Sequence, residues 1–391
     1  MKFFIFVSVI LGLADLTLAR DPWSKPAKAD KETMGNPITP NRLEKLVPKA
    51  DLPAKEDLFS NNELYNMVDT QIQAYINGDD YHCEPGGIGY FVGDLLSSLS
   101  YWERDEFNYL YNDLSLSHWF MYAAFLSTES SLPEDFYPNA EQGNEYFSRT
   151  EDLEDFWDDH SDNISLFALS PRILRNGPLM LQVLDFVFGV PPEQGVIYVD
   201  YVLQMFDIYP FIGYMFPMWT LNAFASTWGA QNTIAMGDGM TQFFETVGLE
   251  TVGPEYVLYH EFAHHVQFAT NAGYRGSPER SRRTELMADF LAGYYATHYF
   301  GSLSVEETDR SENIIMASMA AYNAGECAFH SPGHHGTPNQ RKRAILTAKE
   351  VIESESDRTE IIPARELIAK FDEIYEKKIV VPDAVPADVD P

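Results

Sequence analysis

The stretch that decides the fold is Pro254-Glu255-Tyr256-Val257-Leu258-Tyr259-His260-Glu261-Phe262-Ala263-His264-His265-Val266-Gln267-Phe268-Ala269-Thr270. It predicts a largely buried helix over Pro254 to Thr270, with proline near the start, where its missing N–H costs nothing. Within it stands His260-Glu261-Phe262-Ala263-His264. Residues four apart share one face of a helix, so His260 and His264 can present both imidazoles to one point. Glu261 lies about 100° around the helix from His260, within reach of a water beside an ion held there. Two histidines and a glutamate are costly inside an apolar helix unless they have a partner such as a metal. Zn²⁺ suits the pattern, because it lowers the pKa of its water toward neutrality and a glutamate can take the proton. The bare pattern arises by chance in on the order of one chain in a hundred, so its surroundings must carry part of the argument.

A catalytic zinc needs a third protein ligand and an open fourth position. The next predicted helix, Glu279 to Tyr299, follows a turn at Asn271-Ala272-Gly273 and stops at Gly301. It carries Glu285-Leu286-Met287-Ala288-Asp289, two carboxylates on one face with apolar flanks. Glu285 is expected to be the third ligand. Asp289 is expected to accept a hydrogen bond from the far nitrogen of one zinc histidine and to fix its tautomer. Downstream, His335 is a candidate donor to the oxyanion of a tetrahedral intermediate. The competing reading of that segment is a helix start, with Thr337 as N-cap and Pro338 at the first helical position. His265 is off the ligand face, and His330 and His334 have no stronger claim.

Three motifs stand in order: His260-Glu261-Phe262-Ala263-His264-His265-Val266-Gln267, then Glu285-Leu286-Met287-Ala288-Asp289 running into Ala292-Gly293, then His335-Gly336-Thr337-Pro338-Asn339-Gln340-Arg341. Together they resemble the neutral zinc metallopeptidase family, itself similar to the gluzincin group, whose ligands are two helix histidines and a downstream glutamate. The resemblance covers roughly residues 230 to 345 and implies a zincin-like core and a peptidase activity without implying a substrate. Ala263 stands where the family usually has glycine, and Phe290 where it often has cysteine. Neither position supplies a ligand.

The 391 residues carry 59 Asp and Glu against 27 Lys and Arg, a formal charge of −32. That excludes a nucleic-acid binder driven by phosphate contacts and argues against docking on anionic membranes. The apolar fraction of 45% and six tryptophans exclude a disordered acidic chain. The acidity is uneven: the segment 271–350 is neutral by count, whereas 101–200 is strongly acidic. Such acidity serves solubility or steers basic substrates to the site.

Lys2, the apolar Phe3 to Ala14 and Thr17-Leu18-Ala19 read as a signal peptide over 1–19, cut after Ala19, so no membrane insertion is expected to persist and the protein is expected to be secreted. In that compartment Cys83 and Cys327 can pair. Asn163-Ile164-Ser165 is a glycosylation acceptor. Residues 20–57 read as a linker or propeptide-like segment, 58–229 as an acidic, aromatic-rich helical region, 230–379 as the catalytic region and 380–391 as a disordered tail. Further helices are predicted over Glu63 to Ile76, Phe91 to Tyr111, His118 to Leu126, Leu179 to Phe188, Glu306 to Tyr322, Asn339 to Glu353 and Ala364 to Lys377. Short strands are predicted over Gln194 to Val199 and Asn232 to Met236, the second closed by a turn at Gly237-Asp238-Gly239 and serving as an edge for an extended peptide.

The sequence therefore predicts an α+β, mainly helical fold with a small sheet beside the metal-binding helix. The expected activity is a secreted Zn²⁺ metallopeptidase acting on a peptide or protein. Two alternatives stand: a zinc hydrolase of a non-peptide bond, and a secreted binding protein with a structural zinc site.

Overall fold

The computed structural model describes residues 86–157, 163–227, 231–273, 278–302, 307–327 and 335–380. The leader expected over 1–19, the 20–57 segment, the helix expected over Glu63 to Ile76, Cys83, His330, His334 and residues 381–391 lie outside them.

In chain order the elements are α1 Gly87–Ser98, α2 Tyr101–Asn108, α3 Leu116–Leu126, α4 Ala140–Phe156, β1 Ser165–Leu169, α5 Gly177–Phe188, α6 Pro192–Ile208, β2 Ala223–Ser226, β3 Thr233–Gly237, α7 Asp238–Thr246, α8 Gly253–Thr270, α9 Pro278–Ser302, α10 Glu307–Asn323, α11 Pro338–Ser354 and α12 Ala364–Ile374. The fold is mainly helical with one small sheet, as the periodicity implies. The three strands lie in the order β1-β3-β2, with β1 parallel and β2 antiparallel to β3.

The structure corrects several expectations. Gln194 to Val199 is no strand but part of α6. Its Val-Ile-Tyr-Val run looks β-prone, yet Pro192 opens a helix and Gly195, Tyr198, Val199, Val202, Met205 and Phe206 bury one helical face. The Phe91 to Tyr111 helix is two helices. Ser100 breaks it, capping α2 in a box with Glu103. Gly237-Asp238-Gly239 is no turn, because β3 runs straight into α7. Gly301 does not stop α9, which continues to Ser302. Finally, β3 is no edge: β1 and β2 occupy both its sides.

One buried core takes in described residues from Ile88 on α1 to Ile379 after α12, with members both before β2 and after β3. Helix α8 lies at its centre, against α4, α7, α9, α10, β2 and β3. Nearly all its residues are buried, so the helix is packed on every side, its histidines and glutamates included. Asn271, in the left-handed region at φ 57°, ends it. Helices α9 and α11 cross closely at Gly293, where a Cβ would meet the Ile345 Cα at 2.9 Å. Glycine permits that approach, and the crossing brings the start of α11 to the metal-binding face of α8.

Candidate metal centre

Two adjacent helices deliver the donors. His260 and His264 come from successive turns of α8, and Glu285 from the buried face of α9. His260 Nε2 lies 3.2 Å from His264 Nε2 and 3.3 Å from Glu285 Oε2, and His264 Nε2 lies 3.8 Å from the same oxygen. Donors about 2.0–2.1 Å from a tetrahedral Zn²⁺ stand roughly 3.3 Å apart, so this triangle is of the size a single ion needs. Among the described residues, His260, His264 and Glu285 are the group that could hold a metal ion.

The far side of each imidazole is braced. His260 Nδ1 is 2.8 Å from Asp289 Oδ1, where the carboxylate must accept the ring proton. His264 Nδ1 is 2.8 Å from Gln267 Oε1, and Gln267 Nε2 donates to the Thr284 carbonyl at 2.8 Å. Both rings thus keep Nε2 free for the centre. Asp289 is held by Arg341, whose Nε donates to Oδ2 at 2.8 Å and whose Nη2 donates to Oδ1 at 2.9 Å, while the Tyr256 hydroxyl also donates to Oδ1.

Glu261 is 0% exposed, and both its carboxylate oxygens lack a hydrogen-bond partner. The Ala225 N–H of β2 lies close enough to lower its pKa a little. It falls short of a hydrogen bond. Burial, with Glu285 adding, nevertheless pushes the Glu261 carboxyl up to about 8. Burial alone would lower His260, but Asp289 and then Glu285 hold it up at about 9. Burial takes His264 down to about 3. Glu285 and Asp289 resist burial and stay low, Glu285 chiefly through His264 and Asp289 chiefly through Arg341.

These charges test the fit of a metal. Glu261, Glu285, Asp289 and Arg341 are all at most 3% exposed. Three carboxylates against one guanidinium leave two negative charges in a dry interior. One dication balances them; without it the balance falls to protons on His260 and Glu261. An orphaned buried carboxylate, a donor triangle of ionic size and a charge deficit of two all fit a divalent ion.

The structure thus brings His260, Glu261, His264, Glu285 and Asp289 together. His335 is buried beside them, close enough for its charge to act on Glu285. Its backbone N–H donates to Glu326 Oε1 at 3.0 Å. Gly336, at φ 105°, turns the chain against Leu286 of α9, and Thr337 and Gln340 close a capping box on α11 with Pro338 in its first turn. The helix-start reading of this segment is therefore correct, and it coexists with a buried His335. His265 faces away, its Nε2 3.2 Å from the Thr233 carbonyl of β3. Gln267 and Arg341 were not singled out by the sequence reading. The spacing of Gln267, three residues after His264 on one helical face, is a usable signal.

No family model, curated protein or solved structure matches this chain.

Proposed function

We propose that the protein is a zinc-dependent hydrolase of the metallopeptidase kind, with His260, His264 and Glu285 as ligands and Glu261 as general base. The observation that carries this reading is Glu261: a buried carboxylate with no hydrogen-bond partner, beside a set of three donors. A structural zinc site would gather four protein ligands and have no use for a free base, whereas a hydrolytic one keeps a position open. A Zn²⁺ ion held there would supply Lewis acidity and a water of lowered pKa.

Glu261 then accepts a proton from the attacking water and passes it to the leaving amine. Asp289 and Gln267 hold the imidazole protons on the outer nitrogens and so orient both rings. His335 is our candidate for the donor that meets the developing oxyanion. A peptide strand would be expected beside β2, the strand next to Glu261, rather than beside β3. All four β2 residues are buried, as is the centre itself. Secretion belongs to the same proposal. Its support is the leader-like sequence and the disulfide-bonded state of Cys327.

Chelation tests the reading. Peptide hydrolysis should stop when metal is stripped and return with one equivalent of Zn²⁺. Hydrolysis that survives complete stripping would rule the site out. An ester panel run beside a peptide library separates a peptidase from a hydrolase of another bond.

A further inference from the structure

Arg341 is 1% exposed and spends its whole guanidinium on buried partners. Nε and Nη2 take the two oxygens of Asp289 in a fork. Nη2 also donates to the Tyr256 hydroxyl at 3.0 Å and lies 3.5 Å from His260 Nδ1. Nη1 donates to the Ala324 carbonyl at 3.3 Å, in the turn that follows α10. A forked arginine fixes the plane of a carboxylate, which a lysine cannot do. With Oδ2 held by Arg341, Oδ1 is the oxygen that faces His260, and Tyr256, one turn before His260 on α8, donates to that same atom.

The same turn reaches His335. Glu326 donates its N–H to the Gly336 carbonyl at 3.1 Å and accepts the His335 N–H on its side chain. Arg341 stands one turn into α11, whose start is fixed by the Thr337–Gln340 box. Three segments therefore converge on one guanidinium, the metal face of α8, Asp289 of α9 and the turn at Ala324, and that turn is hydrogen-bonded to the His335 arm.

We infer that Arg341 is the positioning residue of the metal centre, acting on His260 through Asp289 and tying that ligand to the turn that carries His335. The inference rests on the proposal that His260, His264 and Glu285 hold a divalent ion. It adds that ion affinity depends on a side chain that never touches the ion.

The test is a Zn²⁺ competition titration with the visible spectrum of the Co²⁺-loaded protein as a second readout. It is run on wild type, Arg341→Lys, Arg341→Met, Asp289→Asn and the double variant Asp289→Asn/Arg341→Met. The double variant is included because Arg341→Met alone strands a buried carboxylate and threatens folding, whereas removing both charges keeps the interior balanced. Loss of an outer partner of a metal ligand typically weakens affinity about 10–100-fold. Arg341→Met, where folded, and Asp289→Asn should each fall in that range with altered Co²⁺ spectra. Arg341→Lys should recover part of the affinity. The double variant should bind no more weakly than Asp289→Asn, because the arginine acts through the aspartate. Wild-type affinity and spectrum in folded Arg341→Met would overturn the inference, and so would a double variant whose loss is the product of the two single losses. A wild-type protein that takes up no Zn²⁺ would instead remove the metal reading itself.

Discussion

Gln267→Leu removes the brace behind His264 while leaving every metal donor in place. Leucine is close in size and apolar, so packing is largely kept. Two hydrogen bonds of 2.8 Å disappear. The Thr284 carbonyl lies within α9 and has its helical partner, so its loss is small, about 1 kcal/mol. The His264 Nδ1 proton has no water to turn to, because Gln267 and His264 are both 0% exposed. An unpaired buried donor costs about 1–3 kcal/mol, which brings the total to roughly 2–4 kcal/mol of stability in the metal-free protein. His264 also becomes free to move its proton to Nε2 or to rotate, and zinc affinity should fall by about 10–100-fold. Gln267→Glu gives the contrasting result. A carboxylate still accepts the His264 proton but faces the Thr284 carbonyl with no donor, so affinity should hold while stability drops. Urea denaturation of the stripped proteins and a zinc competition titration read the two effects separately. If Gln267→Leu keeps both the stability and the affinity of wild type, these contacts do not hold His264 in place.

Further perturbations follow from the same structure. Asp238 is 7% exposed, and burial raises its carboxyl to about 6 against the opposing influence of Ser170 and Arg172. Its folded pKa lies above the ordinary value of 3.8, so ionisation opposes folding. The penalty is full above pH 6 and is relieved as pH falls toward 4, by up to about 3 kcal/mol at 1.36 kcal/mol per unit. Asp238→Asn should therefore be more stable than wild type at pH 8, and its advantage should shrink between pH 6 and pH 4; an advantage that is flat across this range would contradict the assignment. Gly336 sits at φ 105°, and an added Cβ would meet Leu286 Cδ2 at 2.8 Å. Gly336→Ala should lower stability by about 1–3 kcal/mol in thermal or urea unfolding, and an unchanged midpoint would argue against strain at this turn.

The centre was legible where local spacing reports it. His260 and His264 share a face at any helical rise, and Glu285 with Asp289 repeats that logic on the next helix. The apolar flanks already required both helices to be inside. Arg341 was not legible for an opposite reason. It opens the run Arg341-Lys342-Arg343, which reads as a charged surface, and its counter-charge Asp289 lies 52 residues earlier in the chain. Only the close crossing at Gly293 and the capped start of α11 bring the two together. The sheet was mostly hidden. Four of five β1 residues and all of β2 are buried, so neither shows the alternation that marks a half-exposed strand. The Gln194 to Val199 error has the same root, since a short β-branched run carries no information about what will cover it. Ser100 and Glu103, by contrast, are a readable capping box inside what periodicity alone joined into one helix.

In the proposed mechanism a buried, unpartnered Glu261 serves as the base beside a metal held by His260, His264 and Glu285. The most direct test measures metal content and peptide hydrolysis in the same preparations of wild type and Glu261→Gln. About one Zn²⁺ per chain is expected in both proteins, with hydrolysis in wild type and a loss of at least 10²-fold in the variant, the scale of a missing general base. A variant that holds its zinc and still cleaves at the wild-type rate would contradict this mechanism.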